Sequence, residues 1–86
     1  APERFAVHKL IVHGERPMSE RAKAVKDLLQ AASIASYFLA QGLAEVFNAA
    51  WRDARGRGRG WRSRAEQGRK AMLRIAPDLA DEALWA

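Results

Sequence analysis

Small and apolar residues recur along the middle of the chain at three- and four-residue spacing. They run Val25, Leu28, Leu29, Ala32, Ser36 and Leu39, then Leu43, Val46, Phe47, Ala50, Trp51 and Ala54 beyond Gly42. At ~100° per residue the two runs stay in phase, so together they mark one side of a helical path. Two arrangements satisfy that pattern. An unbroken helix from Ser19 to about Arg55 would reach ~55 Å at 1.5 Å per residue and would need a partner chain to cover its stripe. A break at Gln41 and Gly42 would instead fold the two halves into a compact antiparallel bundle, and this is the expected arrangement. Side-chain size agrees with helices: of 42 hydrophobic residues 18 are Ala, and the 24 larger ones suit close helix packing better than a sheet. The fold class expected is all-α, a small bundle of three to five helices in one domain or fragment, with completion by dimerisation through a long helix as the variant.

Punctuation along the chain places the other helices. Pro2 fits a first helical turn, where its missing N–H has no partner to lose, and Gly14 with Pro17 ends that helix, giving a span of about 2–13. Ser19 stands as an N-cap for a helix over about 19–41, followed by one over about 43–55. Arg55 to Gly60 reads Arg-Gly-Arg-Gly-Arg-Gly, in which alternate glycines and mutually repelling arginines predict a flexible basic loop. Trp61, Ala65, Gly68, Met72 and Ile75 then share one side of a helix over about 61–76, stopped by Pro77, with a last short turn from Pro77 to Trp85.

Charge is concentrated. Of the net +5, residues 52–74 hold nine basic and two acidic groups, against six and five in residues 1–51. A block of that kind suits phosphate-rich partners, and equally a solvated surface. The absence of Cys removes disulfide scaffolds and thiolate metal sites, leaving His and carboxylates as the only metal ligands. No apolar run approaches the ~20 residues of a membrane span and no basic-then-apolar leader is visible, so a cytoplasmic protein without membrane contact is expected. The chain starts at Ala1 rather than Met, which suggests a fragment or a processed product.

Three groups of residues carry chemical potential. Lys23, Lys26, Asp27 and Gln30 fall at i, i+3, i+4 and i+7, opposite the apolar stripe, so that two ammonium groups, a carboxylate and an amide project together. Such a set could hold a phosphate, and an ordinary wet face with a Lys23–Asp27 pair has the same spacing. On the first helix Ala6, Val7, Leu10 and Ile11 are expected in the core, and Phe5, His8, Lys9 and Val12 form a mixed second side. His8 could act as a general base, a phosphate donor or a metal ligand, or simply sit at the surface. His13 is ~140° further round and makes no i, i+4 metal pair with it. Arg52 to Arg64, bordered by Trp51 and Trp61, combines guanidinium groups and aromatic faces as nucleic-acid-binding segments do, although core packing accounts for both tryptophans.

The wording of these helices resembles a known family. Pro2-x-Arg4-Phe5-Ala6-x-His8-Lys9-Leu10-Ile11-Val12, then Lys23-x-x-Lys26-Asp27-x-x-Gln30-Ala31, then Ala54-Arg55 leading through glycines to Trp61-Arg62, is similar to the C-terminal helical part of bacterial nucleotidyltransferase-fold proteins related to abortive-infection and toxin-type enzymes. The resemblance covers about residues 2–73. It implies that Lys9, Lys23, Lys26 and Asp27 line the nucleotide side of a site shared with a preceding catalytic domain. The lysines would neutralise the triphosphate, and Asp27 would support the metal or the acceptor. Such enzymes carry a Gly-Ser loop and an Asp-x-Asp pair on a strand, and this sequence has neither. These residues alone are therefore not expected to transfer nucleotides.

The expected function is binding of a nucleotide or another phosphate-containing small molecule, with Lys9, Lys23, Lys26 and Gln30 as phosphate ligands, in a protein that self-associates. A second reading is a free-standing metal-dependent phosphoester hydrolase of phosphodiesterase or phosphotriesterase type. It would use His8 and Asp27 as catalytic residues and His8, His13 and Asp27 as ligands to a divalent metal ion. A third is a nucleic-acid-binding module acting through Arg52 to Arg64.

Overall fold

The computed structural model describes all of residues 1–86. Five helices and no strand are present: α1 Pro2–His13, α2 Arg21–Ala40, α3 Ala44–Arg55, α4 Arg59–Ile75 and α5 Glu82–Trp85. Single 3-10 turns at Met18–Glu20 and Pro77–Leu79 precede α2 and α5.

The helical path does break at Gln41 and Gly42. Gly42 has φ +73°, a left-handed conformation that L side chains enter at a cost. The turn around it closes α2 as a Schellman motif, with Leu43 N–H donating to the Phe38 carbonyl at 2.8 Å and Gly42 N–H to that of Leu39 at 3.3 Å. The longest dimension of the molecule is 37 Å, well below the ~55 Å of an uninterrupted helix. The Arg-Gly segment is shorter than expected. Helix α3 runs to Arg55 and α4 starts at Arg59, so only Gly56 to Gly58 lie between them, and Gly58 takes φ +131°. Ser19 lies within the 3-10 turn and is not an N-cap; Glu20 holds that position without a side-chain cap bond.

Helix α1 is the central element, packed on α2, α3 and α4. It buries Ala6, Val7, Leu10 and Ile11, the four residues its pattern indicates. Gly68 permits the approach of α4: a Cβ there would stand 2.2 Å from the Leu10 carbonyl oxygen. Another part of the core is aromatic. Trp85 meets Phe47 edge-on at 5.3 Å and Trp51 at 4.9 Å, and its Nε1 donates to the Leu79 carbonyl at 2.8 Å. These contacts fold the last residues back against α3, where Asn48 Nδ2 also donates to the Leu84 carbonyl at 3.0 Å.

Helix α2 departs from its sequence pattern. The face it buries is Ala24, Asp27, Leu28, Ala31, Ala35 and Phe38, roughly 110° round from the Val25 stripe. Val25 and Leu29 remain 43% and 49% exposed. The alanines bring the α2 backbone close to α1, and that geometry carries Asp27 inward with them.

Candidate functional site

Asp27 is the one buried charged residue of the chain, 2% exposed. Burial pushes its carboxyl pKa up, but hydrogen bonds from Arg16 and Lys9 outweigh that effect and hold it below the ordinary carboxylate range. Arg16 Nε donates to Asp27 Oδ2 at 2.5 Å and Arg16 Nη2 to Oδ1 at 3.3 Å, a two-pronged guanidinium–carboxylate pair. Lys9 Nζ adds a third hydrogen bond, to Oδ1 at 3.2 Å. The hydrogen bond to Asp27 correspondingly raises the Arg16 pKa above its ordinary value.

Around this buried anchor lies a depression of ≈ 350 Å³ whose lining is wholly polar: Lys9, Arg16, Lys23, Lys26, Asp27 and Gln30. Glu20 stands at its rim, tied to Arg16 at 3.3 Å and to Lys23 at 3.5 Å. The Lys23–Asp27 pair that the spacing allows does not form, because Arg16 and Lys9 occupy the carboxylate. Four cations against Asp27 and Glu20 leave the cup with a formal charge of +2. Lys26 makes no ion pair, and Gln30 Oε1 is buried without a hydrogen-bond partner. Lys26 and Gln30 also border a second depression of ≈ 420 Å³, lined further by Phe5, Leu29, Ser33 and Ile34. A charged cup thus adjoins an apolar shelf.

Arg16 and the shelf are the parts of this arrangement that sequence reasoning missed. A signal for Arg16 existed: a cation just before a helix N-terminus opposes the helix dipole and calls for a carboxylate partner. The shelf had none, since Phe5 and Ile34 lie on different helices.

Other candidate residues are dispersed. His8 lies away from Asp27, in a separate cavity of ≈ 210 Å³ with Arg4, Asp53, Arg57 and Trp61 among its lining. There Arg4 and Arg57 both bond Asp53 Oδ2, at 3.0 and 2.9 Å, and hold its carboxyl pKa low. His13 Nδ1 lies 3.2 Å from the Ala24 carbonyl oxygen. His8 and Lys9 are ~100° apart on α1, so they serve different sides of the helix.

Residues 1–56 match the profile of a family described as nucleotidyltransferase. The chain belongs to this nucleotidyltransferase family. No match was found among curated proteins or solved structures. The matched segment runs from α1 to the first residue after α3, so it holds the whole cup and leaves α4 and α5 outside it.

A nucleotidyltransferase requires divalent metal to manage the triphosphate charge. The donor set of this chain does not fit one. No three of its His, Asp and Glu side chains converge, and the one carboxylate lining the cup has both oxygens engaged by Arg16 and Lys9.

Proposed function

We propose that this helical region of a nucleotidyltransferase-like protein binds the phosphate groups of a nucleotide in the Lys9–Lys26 cup. The observation that supports this reading most directly is the pairing of a net-positive, wholly polar cup with two groups left unsatisfied in it, the Lys26 ammonium and Gln30 Oε1. Anionic oxygens accept from Lys26, Lys9 and Lys23, and the ribose or a protonated oxygen can donate to Gln30 Oε1. The Phe5, Leu29 and Ile34 shelf gives the base an apolar surface beside the phosphates. Asp27 acts here as a positioning residue. It holds Lys9 and Arg16 at the cup, and its own charge cancels part of theirs, so phosphate is attracted without the cations repelling each other.

The reading assigns binding and charge neutralisation to these residues, and no bond-making step. Catalytic carboxylates for nucleotidyl transfer would come from outside them.

Calorimetric titration of the protein with a nucleoside triphosphate and with pyrophosphate tests the reading. Lys26 is exposed and unpaired, so Lys26→Ala should leave the thermal melt unchanged while weakening both ligands roughly tenfold or more, from the loss of one charge-assisted contact. Phe5→Ala should weaken the nucleoside triphosphate more than pyrophosphate. Unchanged affinity in both variants would remove the cup as the site.

A further inference from the structure

The basic block of residues 52–74 is only partly accounted for by ion pairs within the fold. Arg55 bonds Glu66 at 2.6 Å, Arg57 bonds Asp53 at 2.9 Å, and Arg64 lies 3.6 Å from Glu15. Arg69 packs its guanidinium against the rings of Trp51 and Trp85, at 5.3 and 5.9 Å from their centres. Arg52, on α3, donates its Nε to the Ala86 carbonyl at 3.3 Å. The four cations left without a partner are Arg59, Arg62, Lys70 and Arg74, all exposed and all on α4. At ~100° per residue they lie within about 120° of arc, opposite the buried Ala65, Gly68 and Met72. From Arg59 to Arg74 they extend ~22 Å along the helix at 1.5 Å per residue. The one acidic residue in that arc, Glu66, is neutralised by Arg55.

We propose that the outer face of α4 binds the phosphate backbone of double-stranded nucleic acid, independently of base sequence. The charge pattern is complementary to a duplex, which carries one phosphate per ~1.7 Å of axis. The composition of the face selects against the other polyanions. Strong single-strand binding relies on exposed aromatic rings for stacking, and none lies here: Trp51 and Trp85 are buried, and the half-buried Trp61 is covered by Arg57, 5.2 Å from its centre. An anionic membrane would favour large apolar side chains among the cations. The only one within the arc, Leu73, is half-buried against the core. Ser63 within the arc and Gln67 at its border, both exposed, add neutral hydrogen-bonding groups. The face lies wholly outside residues 1–56, so the family match does not assign it.

Fluorescence anisotropy of a labelled duplex of arbitrary sequence, read against salt concentration, tests this directly. With four phosphate contacts the log–log slope should be about −3.6, and affinity should fall roughly a hundredfold between 50 and 200 mM salt. The Lys70→Gln, Arg74→Gln pair should reduce the slope by about 1.8, and the Arg59→Gln, Arg62→Gln pair should do the same at the other end of the helix. Pyrophosphate titration of both variants should match the parent, and circular dichroism should show unchanged helix content. The proposal is overturned by absence of duplex binding, or by a slope that neither pair of substitutions alters. Loss of duplex binding in Lys26→Gln with both α4 variants unaffected would also overturn it, as would binding of phosphatidylserine vesicles in preference to the duplex.

Discussion

Asp27 shows how one side chain can be both the least soluble feature of a core and the anchor of a surface site. Its carboxylate is buried, and it tolerates burial because Arg16 and Lys9 supply three hydrogen bonds and two charges. Removing the carboxylate's charge leaves a buried amide facing two largely buried cations, of which only Arg16 keeps a carboxylate partner, Glu20, so Asp27→Asn should cost about 3 kcal/mol or more of unfolding free energy, measured by urea denaturation. The pH dependence has a definite sign. A carboxyl whose pKa is lower folded than unfolded contributes its full stability above the unfolded value of about 3.9, and loses it as pH falls through the folded value. The parent should therefore hold its melting temperature from neutrality down to about pH 5 and lose it below about pH 4. Asp53, also held low by its arginines, adds to the same acid loss. The difference between parent and Asp27→Asn curves isolates the Asp27 share, and parallel curves would show that its ion pairs contribute nothing.

At the scale of elements, helix positions are set by small residues as much as by large ones. Ala31 and Ala35 sit between Leu28 and Phe38 on the α2 surface that meets the core, and Gly68 is the point where α4 passes the Leu10 backbone. A methyl group at residue 68 would stand 2.2 Å from a carbonyl oxygen, a backbone atom that cannot swing aside. Gly68→Ala should thus force α1 and α4 apart and destabilise the protein by about 3 kcal/mol, at the upper end of ordinary overpacking. Hydrogen exchange would locate the damage, with protection lost first in α4 and in the α1 residues facing it. An unchanged melting temperature would mean that the two helices can slide without penalty. The rotation of α2 belongs to this scale as well. The Val25 stripe had the stronger periodicity, yet close approach through alanines decided which face turned inward.

For the molecule as a whole, the core closes within one chain, through α4 and through Trp85 packed on Phe47 and Trp51; α4 and Trp85 lie outside the residues that the family match covers. What remains outside, beyond the shelf, is an apolar margin on α2, with Val25 and Tyr37 exposed. No charged residue occurs between Asp27 and Glu45, so the C-terminal half of α2 offers no repulsion to a second copy. Self-association across this margin is accordingly the expected behaviour at micromolar concentration. Sedimentation should show a dimer that Tyr37→Lys disperses, and a parent that sediments as a monomer would leave the margin without that role. No helix is long and apolar enough to cross a membrane.

The all-α class, the span of α1 and the buried sides of α1 and α3 were determined by the sequence alone, since periodicity and breakers act locally. Phe47, Ala50, Trp51 and Ala54 are buried as their spacing indicates, whereas Leu43 and Val46 at the start of the same run stay exposed. The break at Gly42 was one of two possibilities in the pattern, and tertiary closure onto α1 and α4 decided between them. The grouping of the cup's lysines was legible in the sequence, and the placement of its carboxylate was not. Lys9, Lys23, Lys26 and Gln30 do share one cup, but Asp27 is the buried floor beneath them rather than a projecting member of the set. Lys9 on α1 meets Asp27 on α2 only through the packing of those helices, and Arg16 joins them from the connection between the two. Fixing an ion pair across two helices requires their relative rotation, and neither helix encodes that rotation by itself; it follows from which small side chains let the backbones meet.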